Sequence, residues 1–453
     1  MKTETQIITK QKSRHNIRSS VMDIITQNMV VILFAVMSIV AFSISTITPE
    51  LYVRDIISRV SRNSFLVLSL IIPVVAGMGL NFSIVLGAMT AAGAMIYVTH
   101  WGIAGFPGIV LAWIIVVPPA ILLGYLTGKL FNKAKGQEMI TGLILGFFAT
   151  AWFTFIFLQL VGSRILPMDN PILILSSGVG VRTTVDLQGG LRYGLEDLFR
   201  VPFHTVLIGA GVIGFAYLVY SYLRPGPTGI NKMRIAGTGI MSLLAIIWAI
   251  VLLATENPIG VIGVPVATWM VIAALCLFLH FFSRTKLGQD LRTVGQDRHV
   301  ASVSGINVDR IRIIAIIMST VLAAWGHVIF LQNMGAFSTY GSHQQIGLYS
   351  VAAILIGGAT VARATIGQAL LGVFLFHTLF IVSPSAGREL FGDPQIGEYF
   401  RVFVAYGVIA VALVMYSWRR IIQAKRREKA EDAHEVPSVD PYTASGGSGP
   451  IGD

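Results

Sequence analysis

Long apolar stretches alternate with short, polar and mostly basic stretches along the 453-residue chain. Most apolar stretches have about 17–25 residues, enough to cross about 30 Å of hydrocarbon as a helix. The pattern predicts an all-α, polytopic membrane protein with about 10–12 transmembrane helices, some of them discontinuous. The clearest predicted spans are residues 24–47, 65–80, 83–100, 105–128, 139–161, 203–223, 235–254, 264–282, 313–331 and 399–418.

Three places interrupt this regular pattern. Residues 48–64 carry a helical apolar stripe among charges, which predicts an amphipathic helix lying on the outer surface. The Pro118-Pro119 pair is expected to kink or break the span at 105–128. Residues 348–361 are too few for a comfortable crossing, so with residues 366–382 they form either a broken helix pair or two full spans.

Polar stretches divide the chain into parts. We expect a basic cytoplasmic segment at residues 1–20, a transmembrane domain at 21–418 and a disordered cytoplasmic tail at 419–453. Within the domain, an outer segment at 162–202 is too small for an independent core. A second polar segment, at 283–312, lies between two strongly apolar spans.

Composition and charge agree with a membrane protein. The chain is 54% hydrophobic and 12% charged, far below the roughly 25% charge of soluble proteins. The net charge of +11 does not indicate nucleic-acid binding, because the predicted cytoplasmic segments hold 23 of the 33 lysines and arginines. This distribution predicts that both the amino and the carboxyl ends are cytoplasmic. One cysteine, Cys276, excludes a disulfide framework and a thiolate metal site.

The segment at 283–312 has the most distinctive pattern. Cations alternate with aspartates, and glycines at 288, 295 and 305 favour short helices. Leu287, Leu291 and Val294 form one apolar stripe, typical of a surface helix gripped by a partner. Charge alone fits an ordinary cytoplasmic loop equally well.

Enzyme function is not indicated. No G-x-x-x-x-G-K-[ST] loop occurs in the sequence, so the chain cannot bind ATP in that way. Its serines and histidines lack the spacing of a nucleophile with a base or of a metal site. An ion-gradient-driven secondary transporter is the main alternative from another class, but the predicted spans contain few of the carboxylates that such proteins use. A structural scaffold would leave the segment at 283–312 unexplained.

Three stretches carry a family resemblance. In the segment at 283–312, Thr285, Gly288, Arg292 and Gly295, followed by Gly305, resemble the cytoplasmic signature of ribose-permease-like subunits of ABC importers for sugars, nucleosides and branched-chain amino acids. Residues 352–372 and 49–89 are similar to a glycine-broken helix pair and to a discontinuous second span of that family. The resemblance covers about half the chain.

The resemblance implies roles for particular residues. The segment at 283–312, from here the coupling segment, would sit in a cleft of a partner ATPase, with Arg292 and Arg298 pairing with that surface. Its coupling residues would be Thr285, Gly288, Arg292, Gly295, Arg298, Ser304 and Gly305. The substrate path would follow the helix breaks, at Gly77, Gly79, Asn81, Ser83, Gly357, Gly358 and Thr360. Alternatively, Asn81 caps the following helix, and the glycines are close-packing sites.

The resemblance also implies partners. They are ABC ATPase subunits that hold ATP and Mg, a second permease subunit (homo- or heterodimer), an extracytoplasmic solute-binding protein and membrane lipid, with no cofactor on this chain. The location would be a bacterial or archaeal cell (inner) membrane. The cargo would be a small polar solute, with a sugar or nucleoside favoured and a branched-chain amino acid as the alternative. Asn81 stands where sugar permeases commonly have an acidic residue, and residues 205–257 look like an added pair of spans.

Overall fold

A computed structural model describes residues 28–223, 232–393 and 395–403, together with six single positions between 406 and 418. Contacts group residues 1–409 into one compact unit and residues 410–453 into another. In the second unit the described positions, at 410, 411, 414 and 418, are helical. The predicted segments 1–20 and 419–453, and much of the last predicted span, lie outside the described residues.

The first unit is built from α-helices, which confirms the all-α prediction. Their bounds are α1 Met29–Ile44, α2 Pro49–Ser69, α3 Ile71–Val75, α4 Ile84–His100, α5 Gly105–Lys133, α6 Glu138–Phe155, α7 Phe203–Leu223, α8 Lys232–Ala254, α9 Val266–Phe282, α10 Lys286–Gln296, α11 Arg298–Val303, α12 Val308–Met334, α13 Gln344–Ile356 and α14 Ile366–Phe391. A π-helical turn, Ile156–Leu160, extends α6, and 3-10 turns lie at Glu196–Leu198 and Pro258–Val261.

Among the described residues, four three-residue strands form two antiparallel pairs. β1, Thr184–Asp186, pairs with β4, Ala336–Ser338, and β2, Arg200–Pro202, pairs with β3, Gly263–Pro265. In each pair one strand, β1 or β2, belongs to the predicted outer segment at 162–202. They tie that segment to the residues just before α9 and just after α12.

Seven helices of the described part are long and apolar enough to cross a membrane, and α9 with α10 adds an eighth if that pair, bent by 75°, is one span. Three further apolar helices, α1, α4 and α13, have 16, 17 and 13 residues. The structure therefore supports a multi-pass membrane protein. The predicted total of about 10–12 crossings stays a prediction, because the last predicted span is only partly described.

The prediction that residues 48–64 form a separate surface helix is wrong. Its residues form one continuous helix, α2, with the first part of the predicted span at 65–80. Thr48 caps this helix by accepting the Leu51 N–H at 3.4 Å, and Pro49 occupies the first turn, where no N–H partner is needed. From Ser64 to Ser69 every residue is buried, so the helix continues into the packed interior.

The proline pair does not break its helix, contrary to one of the two expected outcomes. Pro118 and Pro119 lie inside the continuous α5 and are exposed. Ala112, Val116 and Ala120, on the opposite face, are fully buried. Packing of that face holds the helix together although two backbone donors are missing.

Helix α12 is the centre of the packing. It contacts α2, α3, α4, α5 and α10. It runs antiparallel to α5, because Asn132 at the end of α5 donates to the Asp309 carbonyl at 2.9 Å, while Trp113 and Trp325 bond to each other's backbone near the other end. One end of α12 therefore carries α10 and α11, and the other carries β4.

Helices α7 and α8 form a hairpin that packs mainly on itself. In the most apolar 18-residue stretch of each helix, only 6% of the residues of α7 and 17% of those of α8 are buried, compared with 61% of those of α12. Gly211 of α7 lies against Ile246 and the Ser242 carbonyl of α8. This hairpin is the segment that the sequence marks as an added pair of spans.

Glu196 anchors the outer segment to α12. Its carboxylate is buried and accepts bonds from Asn333 at 2.6 Å, Gln332 at 3.3 Å and Arg200 at 3.3 Å. Burial raises the pKa of Glu196 above its ordinary value, and the bonds from Asn333 and the nearby Arg200 oppose that rise.

Candidate functional site

The coupling segment begins with a sharp turn built by a threonine and a glycine. Thr285 caps α10 by accepting the Gly288 N–H at 3.2 Å. A Cβ on Gly288 would lie 2.1 Å from the Phe282 carbonyl oxygen, so only glycine allows α10 to fold this closely on α9. These two predicted coupling residues fix the 75° bend between the two helices.

The apolar stripe of α10 faces the chain itself, which corrects the expectation that a partner grips it. Leu291 and Val294 are each 1% exposed, and Leu287 is half-buried. Helix α10 contacts α3 and α12. An amphipathic pattern shows that one face is buried, but it does not say against which molecule.

The end of α10 rests directly on the break between α3 and α4. A Cβ on Gly295 would lie 2.0 Å from the Val75 carbonyl oxygen, and one on Gly77 would lie 2.7 Å from the Gly295 Cα. Gly77 also has a φ of 69°, in the left-handed region that favours glycine. A predicted coupling residue and a predicted substrate-path residue are therefore in backbone contact.

A buried carboxylate reinforces this contact. Arg298, at the start of α11, donates from Nη2 to the Glu138 carboxylate at 3.0 Å and to the Gly77 carbonyl at 3.3 Å. Arg312 is fully buried and donates to the same Glu138 oxygen and to the Phe131 carbonyl. The site joins α5, α6, α11 and α12 to the break before α4.

Arg298 is therefore engaged within the chain rather than held free for an ATPase. Its side chain remains 37% exposed, but its guanidinium already has an acid partner. Neither Glu138 nor Arg312 was among the predicted site residues. Glu138 looked like the end of a span, and spacing gives no sign that a residue 174 positions away would meet it.

Helix α11 presents a different surface to solvent. Asp297 caps it by accepting the His299 and Val300 N–H groups at 2.7 and 3.1 Å, and these bonds lower the pKa of the Asp297 carboxyl. Val300 and Val303 are 53% and 77% exposed, one helical turn apart. These valines were not among the predicted site residues, although their apolar i, i+3 spacing in a polar segment is visible in the sequence.

The remaining predicted coupling residues lie in α10 and directly after α11. Arg292 and Ser304 are exposed. Gly305 has a φ of 79° with open space where a Cβ would be, so its backbone conformation, not crowding, favours glycine there.

The loop between α3 and α4, residues 76–83 and from here the first break, has polar side chains that hydrogen-bond to groups of the same chain. The buried Asn81 accepts the Ser83 N–H at 3.0 Å, also bonds the Ser83 hydroxyl, and donates to Ser319 of α12 at 3.3 Å. Ser319 in turn donates to the Ser69 carbonyl at 3.0 Å. The bond to the Ser83 N–H is a local turn just before α4, whose N-cap is Ser83 and not Asn81. Gly79 has a φ of 72° and lies close to the Met139 side chain.

The second break is the tight loop at residues 357–365, between the packed helices α13 and α14. A Cβ on Gly357 would lie 1.8 Å from the Gln368 carbonyl oxygen, and the Gly358 carbonyl accepts from Gln368 Nε2 at 2.9 Å. Thr360 and Arg363 exchange backbone hydrogen bonds, and Arg363 is exposed. Gly357 is thus a close-packing site, and two separate helices, α13 and α14, flank the loop.

Fold and site together define a multi-pass helical membrane protein with a polar helical segment locked onto a broken span. The family model described as "Branched-chain amino acid transport system / permease component" matches residues 197–413, from the outer segment through α14 and beyond. These 217 of the 453 residues match that permease family, in agreement with the resemblance.

Several curated proteins are similar to the chain. The probable ABC transporter permease protein YphD of Escherichia coli is 30% identical over 172 residues, which is 38% of this chain and 48% of that protein. The xylose transport system permease protein XylH of Haemophilus influenzae is 30% identical over 211 residues, 46% and 54%. The nucleoside ABC transporter permease protein NupC of Lactococcus lactis is 27% identical over 179 residues, 38% and 54%. The chain thus spans about half the length of these relatives, and no solved structure matches.

Proposed function

We propose that the chain is the transmembrane permease subunit of an ATP-driven ABC importer. It takes a small polar solute from a solute-binding protein outside the cell and works with ATPase subunits inside, which bind ATP and Mg. A second permease subunit, identical or related, completes the pathway. The relatives named above, which include xylose and nucleoside permeases, support this class of cargo, with a sugar or nucleoside favoured over a branched-chain amino acid.

The observation that carries the proposal is the backbone contact between the coupling segment and the first break. Gly295 lies on Val75 and Gly77, and Arg298 bonds the Gly77 carbonyl. A displacement of α10 and α11 must therefore move the loop before α4. A force applied by an ATPase at this end is passed to a break in the membrane-spanning part without an intervening flexible link.

The surface that meets the ATPase is the exposed apolar edge of α11, Val300 and Val303, with Arg292 nearby in the sequence as a charged contact. Apolar anchors with a charged rim are the usual composition of a small interface. Arg292 and Arg298 were both expected to pair with the ATPase surface. Only Arg292 is left for this role, because Arg298 is bound to Glu138.

Affinity purification from native membranes in mild detergent tests the proposal. The wild-type chain should bring down an ATP-binding subunit, and Val300→Ser with Val303→Ser should reduce its recovery by about tenfold or more, since two interface anchors are lost. Val261→Ser is the matched control, because Val261 is 71% exposed on the 3-10 turn after α8. Recovery of the chain alone, after cross-linking as well, would favour a gradient-driven transporter.

A further inference from the structure

A polar cavity of about 560 Å³ lies beside the coupling segment. It is bounded by the loop after α5, by one face of α11 and by the first turn of α12. Its polar lining comes from Lys135, Arg298, His299, Ser302, Asn307, Asp309 and Arg312. Nothing in the proposed ATPase contact uses this cavity.

The cavity carries an excess of positive charge. Lys135, Arg298 and Arg312 are cationic, whereas Asp309 in the lining and Glu138 behind it are acidic. One positive charge is left over, so the cavity favours an anion. His299 and Ser302 add further groups that can donate a hydrogen bond.

Arg312, in the cavity lining, has N–H groups that lack a hydrogen-bond acceptor among the described residues. The side chain is fully buried, and its Nη2 serves Glu138 and the Phe131 carbonyl. Its Nε and Nη1 have no hydrogen-bond partner in the described part of the chain. Buried guanidinium N–H groups without an acceptor are costly, so a ligand oxygen that reached them would be bound strongly.

We propose that this cavity binds a phosphate group, carried either by the headgroup of an anionic phospholipid or by free phosphate. A phosphodiester supplies the single negative charge and the acceptor oxygens that the lining lacks. The position favours the lipid as the source. The cavity lies just beyond Lys133, where the membrane-spanning α5 ends, and Leu126 and Leu130 of that helix are exposed.

The phosphate site and the ATPase surface are on different faces of α11. His299 and Ser302 line the cavity, whereas Val300 and Val303 are the exposed pair. Residues one turn apart share a face, so each pair forms its own stripe. The two proposals therefore stand or fall separately, and the test below measures binding and not transport.

Thermal unfolding of the purified full chain in detergent tests the proposal. The probes are dioctanoyl phosphatidylglycerol, dioctanoylglycerol without phosphate, and inorganic phosphate, each added over a concentration series. Binding raises the unfolding temperature with ligand concentration. The lipid with phosphate should stabilise the chain, and dioctanoylglycerol should not.

Lys135→Gln should raise the half-saturating lipid concentration by about tenfold, since one charge-assisted contact is lost. His299→Gln, at a second exposed position of the lining, should raise it less. Lys133→Gln is the matched control, an exposed lysine two residues away that does not line the cavity. If inorganic phosphate alone gives the Lys135-dependent shift, the ligand is free phosphate. Equal responses of Lys135→Gln and Lys133→Gln, or equal effects of both lipids, would overturn the proposal.

Discussion

Glu138 is the residue on which the attachment of the coupling segment most depends. It is buried and bonds both Arg298 and Arg312. Glu138→Gln leaves Arg312 buried without a counter-charge, and we expect a loss of about 3 kcal/mol or more in stability. The check is the thermal unfolding midpoint in detergent. Glu50→Gln, which removes an exposed pair with Arg54 at 3.6 Å, should change it little.

A double variant separates this effect from loss of packing. Glu138→Gln together with Arg312→Met should be less destabilised than the two single changes added together, because the second change removes the stranded charge. If Glu138→Gln is no more destabilising than Glu50→Gln, the ion cluster does not hold the segment in place.

His343 makes stability depend on pH. It is fully buried at the start of α13, with its ring 5.0 Å from that of Phe153, and burial lowers its pKa from 6.5 to about 4. Between these values the unfolded chain takes up a proton that the folded chain does not, so stability falls as pH falls below about 6.5. From about pH 7.5 to about pH 5.5 this group alone should cost about 1.4 kcal/mol.

Unfolding midpoints at the two pH values test this assignment. His343→Leu should show a smaller fall in midpoint than the wild type, whereas His280→Leu, at an exposed position, should keep the wild-type fall. Equal falls for wild type and His343→Leu would mean that other groups set the pH dependence.

Single residues show where sequence reasoning reaches its limit. Thr285 and Gly288 were predicted as coupling residues from the resemblance, and the sharp turn that the structure shows at these positions depends only on neighbours in the chain. Arg298 was expected to face a partner, but its ion pair is with a residue 160 positions away. Charge and spacing identify a functional cation, but they do not identify its partner.

At the scale of elements, hydropathy predicts most helices closely. The predicted span at 203–223 is α7 at the same bounds, and that at 83–100 is α4 within one residue. The failures are the places where burial overrides local pattern. Charges made the first part of α2 look like a surface helix, although it runs on into a buried segment. The exposed proline pair in α5 suggested a break that packing of the opposite face prevents.

The α7–α8 hairpin should be removable as a unit. Pro202 and Gly263 are paired at its base in the β2–β3 ladder, so an Asn-Gly turn can join them in place of residues 203–262. The shortened chain should insert into the membrane and elute as a single species in detergent, because the hairpin packs mainly on itself. A cavity of about 510 Å³ between the hairpin and α2, α9 and α14 also indicates a loose attachment.

Removal of another helix pair provides the control for this deletion. Replacement of residues 344–391, whose helices pack on α1, α2 and α4, should give aggregated protein. If the shortened hairpin variant aggregates as well, α7 and α8 are part of the core and not an addition.

At the scale of the whole molecule, one contact joins the coupling segment to the membrane-spanning part. The coupling segment is joined to the break before α4 by a glycine contact at Gly295 and by the Arg298 bond to Gly77, which bridges 221 positions of sequence. The resemblance named both regions as functional. Only the three-dimensional arrangement shows that they touch, because no local pattern encodes a contact between distant loops.

The most direct test of the account replaces Val303 with a photo-crosslinking amino acid in the full chain. Irradiated native membranes are then searched by mass spectrometry for the protein attached at that position. We expect an ATP-binding subunit attached at position 303 and not at position 261, where a similarly exposed valine lies on the turn after α8. Attachment of lipid alone at position 303 would contradict the proposed ATPase contact.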